Sequence, residues 1–296
     1  MNYLKRISDV FNSSEEIIFD DNSKFILMSD CHRGDGNWSD SFAKNQNIFF
    51  SALSYYLKNG YTYIELGDGD ELWENRDLNE IIEQHSNAFW IMREFYKKNR
   101  LYLLYGNHDM VKRNPKYIEK NLFKYYSERD NKYIELFKNI KIHEGLILKY
   151  KNTRNRILLL HGHQIDFINS DIWLVSRFLV RYFWKPLENF AIKDVTRTAK
   201  NYKKKGDVAR RLSEWAKKYN TILIAGHNHR PTFPEPGNVP YFNDGSCVHP
   251  RCITGIEIAS GNISLIKWST KSNEKGFLKV EREILAGPKS IREYFK

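Results

Sequence analysis

Leu101-Tyr102-Leu103-Leu104-Tyr105, an apolar and β-rich run, ends abruptly in Gly106-Asn107-His108-Asp109. Polar groups of this kind are costly inside a sheet, and open α/β sheets keep their chemistry at strand ends. The arrangement recurs along the chain. Phe25 to Met28 runs into Ser29-Asp30-Cys31-His32, and Tyr63 to Leu66 into Gly67-Asp68-Gly69-Asp70. Downstream, Ile157 to Leu160 leads into His161-Gly162-His163, and Ile222 to Ala225 into Gly226-His227-Asn228-His229. Five strand ends therefore offer carboxylates, imidazoles and an amide to one place.

The segments between them carry helical spacing. Phe42 to Leu57 sets Ile48, Phe49, Leu53, Tyr56 and Leu57 on one face, with Asn59-Gly60 as a stop, and Leu78 to Lys98 reads as a second helix. Strand and helix alternate, which predicts a layered α/β fold with right-handed crossovers. Residues 1–22 read as a short helix and a linker, and Tyr117 to Tyr126 as a further helix. Lys141 to Tyr150 and Arg156 to Leu160 read as a strand pair, followed by short strands at Tyr241 to Asn243, Ile253 to Ala259 and Ile263 to Trp268. In the charged stretch 269–296 a last strand is expected near Leu278 to Ile284, with a loosely held tail beyond it.

The chain has 296 residues and a net charge of +11. One core with an insertion suits this length, and the charge points toward anionic partners: phosphates, nucleic acid or anionic lipid headgroups. Cys31, Cys247 and Cys252 lack C-x-x-C spacing, so a disulfide framework is not expected and a cytoplasmic location fits. No signal peptide is read at the N-terminus, and no apolar run reaches the length of about 18 residues that a membrane-spanning helix needs.

Asp30, His32, Asp68, Asn107, His161, His227 and His229 supply oxygen and nitrogen donors without thiolate. Such a set suits hard or borderline divalent ions: manganese, iron, zinc, nickel or magnesium. If one carboxylate bridges, the seven residues give four ligands to each of two ions. Asp68, on the middle of the three N-terminal strands, is the natural bridge.

In this order the motifs resemble the calcineurin-like metallophosphoesterase superfamily, whose pattern runs D-x-H, G-D-x-x-D/E, G-N-H-D/E, a His-Gly pair and G-H-x-H. The resemblance spans roughly residues 24–268, with Asn243-Asp244-Gly245-Ser246 similar to a late N-x-G-S turn. It implies a four-layer α/β/β/α sandwich with a core over residues 23–268. It also implies two divalent ions, most readily Mn2+, one held by Asp30, His32, Asp68 and His229 and the other by Asp68, Asn107, His161 and His227. A hydroxide shared by the ions would attack phosphorus in line. His108 would protonate the leaving oxygen, and Asp109 would orient its ring. Asp70 and Glu71 are candidates for orienting ligands or solvent, and Arg33 and Arg230 for contacting a substrate phosphate.

Residues 165–219 interrupt the core with helical, aromatic and then basic sequence, and Gly206-Asp207 reads as a helix start. This stretch is expected to form a cap that covers acyl chains, contacts a membrane peripherally or packs on the core. Its position loosely resembles the UDP-diacylglucosamine pyrophosphatase branch, which cleaves a nucleotide-linked diacyl sugar. That branch commonly has Arg where His108 stands, which favours a general phosphomonoesterase or phosphodiesterase site. The expected substrate is a phosphorylated small molecule or a lipid-linked phosphate. A nuclease or cyclic-nucleotide phosphodiesterase is the alternative on the same metals, and a non-catalytic interaction module is the third.

Overall fold

The computed structural model describes residues 3–165 and 195–295, with backbone alone over 195–205. Two sheets face each other across an apolar interior, and each carries helices on its outer side. The larger sheet contains β2 (Phe25–Met28), β3 (Thr62–Leu66), β4 (Leu101–Leu104) and β7 (Ile142–His143), all parallel in that order. Next to β2 it is extended by antiparallel β12 (Cys252–Ala259), β13 (Asn262–Ser272) and β14 (Leu278–Ser290). The smaller sheet has the order β1 (Glu15–Phe19), β8 (Gly145–Tyr150), β9 (Arg156–Leu160), β10 (Ile222–Ala225) and β11 (Tyr241–Asn243). A separate hairpin joins β5 (Lys124–Ser127) to β6 (Lys132–Glu135).

Both faces of the central strands are buried, which explains why their sequences are continuous apolar runs rather than alternating ones. In β2, Phe25 and Leu27 point between the sheets, whereas Ile26 and Met28 point toward the helices. β9 and β10 divide likewise: Ile157, Leu159, Ile222 and Ile224 fill the space between sheets, and Leu158, Leu160, Leu223 and Ala225 face outward. On the larger sheet the outer layer is α2 (Gln46–Lys58), α3 (Leu78–Gln84), α4 (Ser86–Lys97) and α5 (Pro115–Leu122). On the smaller sheet it is α1 (Tyr3–Ser13) and α6 (Val195–Tyr219), with Ile7, Leu212, Trp215 and Ala216 buried together. This is the expected four-layer α/β/β/α arrangement.

Several local expectations differ from the structure. The N-terminal linker is instead strand β1, parallel to β8, because Ile17 and Phe19 have a sheet edge and an interior to join. The helix expected over Leu78 to Lys98 is broken at His85, whose Nε2 pairs with the buried Asp40 carboxylate at 2.8 Å. The helix expected to reach Tyr126 ends at Leu122, and the following residues are β5. The C-terminal tail is tied down, since Ile291 and Tyr294 are buried against the inter-sheet core.

Gly206 does not start a helix; it lies within α6, whose last turns pack on the smaller sheet as a core layer. The aromatic part of the expected cap, residues 166–194, lies outside the described residues. None of the described helices is long and apolar enough to cross a membrane.

Candidate metal centre

The carboxyl ends of β2, β3 and β4 in one sheet and of β9 and β10 in the other open onto the same end of the sandwich. Backbone bonds align them: Asp30 N donates to Gly67 O, His32 N to Asp68 O, and Gly226 N to His161 O. The sheets are joined by a side chain as well, because Asp30 Oδ2 accepts from His227 N at 2.8 Å. Two glycines make the approach possible. A Cβ on Gly106 would lie 2.1 Å from Asp68 Oδ1, and one on Gly226 would lie 2.2 Å from Ser29 Oγ.

At these turns the chain adopts a conformation that L-residues avoid. Asp30, His32, Asp68, His227 and His229 all have positive φ, between 48° and 69°. Each such residue costs roughly 1–3 kcal/mol and persists only where its surroundings hold it. Five of the seven candidate ligands share this conformation. The backbone strain is concentrated where the side chains must converge.

Convergence is close. Donor atoms of Asp30, His32 and His229 lie within 4.8 Å of one another, as do those of Asp68, His161 and His227. Asp68 stands between the groups: its Oδ2 is 3.1 Å from His161 Nε2 and 3.9 Å from His32 Nε2, while its Oδ1 accepts from His108 N at 2.8 Å. His229 Nε2 approaches Asp30 Oδ1 to 2.9 Å. Asp30 Oδ1, His32 Nε2, Asn107 Oδ1 and His161 Nε2 are buried and have no hydrogen-bond partner among the described residues. A buried polar atom left so costs about 1–3 kcal/mol, and four at one place fit a cationic occupant.

The electrostatics agree with that fit. Burial disfavours charge on Asp30 and Asp68, but the surrounding imidazoles, His229 and His161 foremost, hold both carboxyls well below the usual range. Burial likewise opposes protonation of His161, yet Asp68 and Asp30 lift it to about 9. A site that retains protons this strongly is a site that cations can occupy in their place. The donor set, imidazole nitrogens with carboxylate and amide oxygens, suits divalent ions without thiolate preference.

Around the candidate ligands is a layer of supporting groups. Glu71 accepts from His32 Nδ1 at 2.9 Å and from His108 Nδ1 at 2.8 Å, fixing both rings with Nε2 as the remaining nitrogen. Trp73 stacks on His108 with centroids 4.3 Å apart and an interplanar angle of 22°. His161 Nδ1 donates to Leu66 O at 2.8 Å. Behind Asp30, Ser29 Oγ lies 2.5 Å from its Oδ2 and 2.8 Å from Asp244 Oδ1. Burial and the neighbouring Asp30 push the Asp244 carboxyl well above its ordinary range, so the protonated form can share in this contact.

Two of the expected roles are corrected. Arg33 does not face a substrate: it is fully buried, its Nη1 and Nη2 each 2.8 Å from Glu65 and its Nε 2.6 Å from Asp70. Nor does Asp109 orient His108; that position belongs to Glu71. Asp109 instead accepts from Gly106 N at 2.7 Å, Gly69 N at 3.2 Å and Lys112 Nζ at 2.7 Å, tying the loop after β3 to the loop after β4. Asp70 joins this cluster through Arg33 and Lys112. Arg230 is partly exposed beside His229, with its backbone N–H bonded to Asn228 Oδ1.

Lys112 and Trp73 lie outside the strand-end motifs. Trp73 has a readable signal, an aromatic two residues after the acidic run, whereas Lys112 looks like any surface lysine.

A family model for calcineurin-like phosphoesterase matches residues 23–231. The chain belongs to that family. The match spans all five strand-end motifs of this chain and leaves α1, β1 and β11 to β14 outside it. No match to a curated protein was found. Among solved structures, Chaetomium thermophilum Vps29 is similar at 11% identity and a TM-score of 0.40, covering 88% of this chain and 96% of that one. Vps29 of the same organism, complexed with the RaPID-derived cyclic peptide RT-D3, is similar at 12% identity and a TM-score of 0.37, covering 89% and 95%.

Proposed function

We propose that this phosphoesterase is a two-metal hydrolase acting on a phosphate ester or phosphoric anhydride of a phosphorylated small molecule, including nucleotide-linked or lipid-linked ones. The observation that carries this reading is the set of four buried ligand atoms on Asp30, His32, Asn107 and His161, without hydrogen-bond partners among the described residues, at the meeting of the two sheets. Asp30, His32, Asp68 and His229 would hold one ion, and Asp68, Asn107, His161 and His227 the other. Manganese is the first candidate, and iron, zinc, nickel or magnesium fit the same donors. When bound, such ions acidify water and take up charge on phosphoryl oxygens.

The chain's own groups do the rest. Glu71 anchors His32 and His108 through Nδ1, which leaves His108 Nε2 as the nitrogen to protonate a leaving oxygen. Trp73 holds the His108 ring from one face. The buried Arg33, Asp70, Asp109 and Lys112 cluster keeps the two loops in register. All seven candidate ligands are present, so the non-catalytic alternative gains no support from this site.

Hydrolysis of an aryl phosphomonoester and an aryl phosphodiester by the manganese-loaded protein tests the reading. Asp68→Asn is expected to lower both turnover and bound metal. His108→Ala is expected to lower turnover by about 10²- to 10⁴-fold with metal content retained. Metal loss in His108→Ala would remove it from the proton-donor role, and unchanged turnover in Asp68→Asn would contradict the metal assignment.

A further inference from the structure

The register of the larger sheet fixes where its β13–β14 hairpin points. β12 is antiparallel to β2, with Ile256 beside Leu27 and Ile258 beside Phe25, so β12 begins at the end of the sheet where Asp30 and His32 stand. Its first residue, Cys252, pairs with Ser269. Beyond that pair the hairpin continues without β12, through Thr270 and Val280, Lys271 and Lys279, and Ser272 and Leu278. From Ser269 to Asn273 this is roughly 13 Å at about 3.3 Å per residue. Every residue from 270 to 279 is exposed. The turn is nonetheless braced, because Asn273 Oδ1 accepts from Lys275 N at 3.0 Å and from Phe277 N at 2.9 Å. It presents Phe277, 67% exposed, and Leu278, 75% exposed.

Two further features lie at this end. The loop between β2 and α2 carries Trp38, 95% exposed, and is held on either side of it: Gly36 N donates to Asp40 Oδ2 at 3.0 Å, and Ser39 Oγ to Glu74 Oε2 at 2.9 Å. The Glu74 bond fastens it to the loop after β3, which also carries Trp73 and its stack on His108. The second feature is α6. Leu212 is level with Gly162 at the end of β9, where a Cβ would lie 3.5 Å from its Cδ1, and the helix then descends to meet the start of β10. Its earlier turns therefore run on past the carboxyl ends of β9 and β10. Residues 195–206 of that extension include Arg197, Lys200, Lys203, Lys204 and Lys205 and no Asp or Glu.

Trp38, Phe277 and Leu278 thus stand on separate projections at the end that carries the candidate metal centre, together with a cationic stretch, on a chain of net charge +11. A protein partner covers one contiguous apolar core with a polar rim. Separate apolar tips beside cations suit a fluid surface, since Trp and Phe favour the membrane interface and Lys and Arg its anionic headgroups. Pairing of β14 with a second copy is opposed by Lys279, Glu281 and Glu283 on that edge strand and by the shift in its register between Leu265 and Ile266. We propose that the end of the sandwich holding the candidate metal centre docks on an anionic lipid bilayer, with Phe277, Leu278 and Trp38 entering the interface and the centre held at headgroup level. Docking and the phosphoesterase reading stand or fall separately.

The experiment is co-sedimentation of the manganese-loaded full chain with vesicles of phosphatidylcholine alone and of equal parts phosphatidylcholine and phosphatidylglycerol. A Phe277→Ser, Leu278→Ser double variant and a Trp38→Ser variant are compared with wild type; all three side chains are exposed, and thermal melting checks the fold. Wild type is expected to bind the anionic vesicles at least about 10-fold more tightly than the neutral ones, and less tightly as salt is raised. The double variant is expected to bind them about 10- to 100-fold more weakly, and Trp38→Ser about 10-fold more weakly, with hydrolysis of a soluble aryl phosphate unchanged in both. No wild-type binding to anionic vesicles, or equal binding by all three folded proteins, would overturn the docking. Self-association of wild type that the double variant loses, without vesicle binding, would overturn it too and give this end to a second copy. Vesicle binding that the variants lose, with no aryl phosphate hydrolysis by wild type, would uphold the docking while counting against the phosphoesterase reading.

Discussion

Glu71 contacts two imidazoles at once, and that single carboxylate couples a candidate metal ligand to a candidate proton donor. Burial on its own would raise Glu71, but His108 and His32 outweigh it and hold the carboxyl at about 2. Its loss should therefore be felt at both rings. Glu71→Gln is expected to lower kcat/KM on an aryl phosphate and to weaken manganese binding, each by about 10- to 100-fold. Unaltered metal affinity would show that His32 does not depend on this contact. Arg33 makes the opposite point, because a residue next to a ligand histidine proves to be an internal cation. Arg33→Met leaves the Glu65 carboxylate buried without its partner and is expected to destabilise the fold by about 3–5 kcal/mol in chemical denaturation. A stable variant with a raised KM would restore the substrate-contact role.

The element that couples loop and helix packing is the His85 break between α3 and α4. Asp40 Oδ2 bonds His85 Nε2 at 2.8 Å and accepts from Gly36 N, while Oδ1 accepts from the backbone of Phe42 and Ala43. Burial would raise Asp40, but His85 and these backbone donors lower it below its ordinary range. A carboxyl depressed in the folded state stabilises the fold above its unfolded value, about 3.9, and loses that contribution as pH falls through the folded value. Asp40→Asn is expected to be less stable than wild type at pH 7 by about 1–3 kcal/mol, with the gap in Tm narrowing below about pH 4. Melting curves that stay parallel across this range would place the effect elsewhere. The break is hidden in the sequence, since Leu78 to Lys98 keeps its apolar spacing through His85, whose partner Asp40 lies far off in the chain.

For the whole molecule, what was legible followed from burial on two faces. The apolar runs of β2, β3, β4, β9 and β10 mark the strands, and the polar residues that interrupt them mark the candidate ligands that the structure brings together. Elements whose partners are remote were not legible. β1 needed an edge strand some 130 residues away, and the core role of α6 needed the outer face of β9 and β10. Glu71 as the shared anchor of His32 and His108 is likewise a fact of loop geometry, although its place in the acidic run had marked it for some such role. At the candidate metal centre the two sheets are joined by polar side chains such as Asp30 in addition to their apolar interface, so metal loading should connect activity with the assembled sandwich.

The most direct measurement is hydrolysis of an aryl phosphate as manganese is added stepwise to metal-free protein, with bound metal quantified at each step. Activity that rises with loading and levels near about two equivalents per chain, and that is lost in Asp68→Asn, is the predicted result. Hydrolysis independent of metal, or tight binding of manganese with no hydrolysis of any phosphate ester or anhydride, would contradict it.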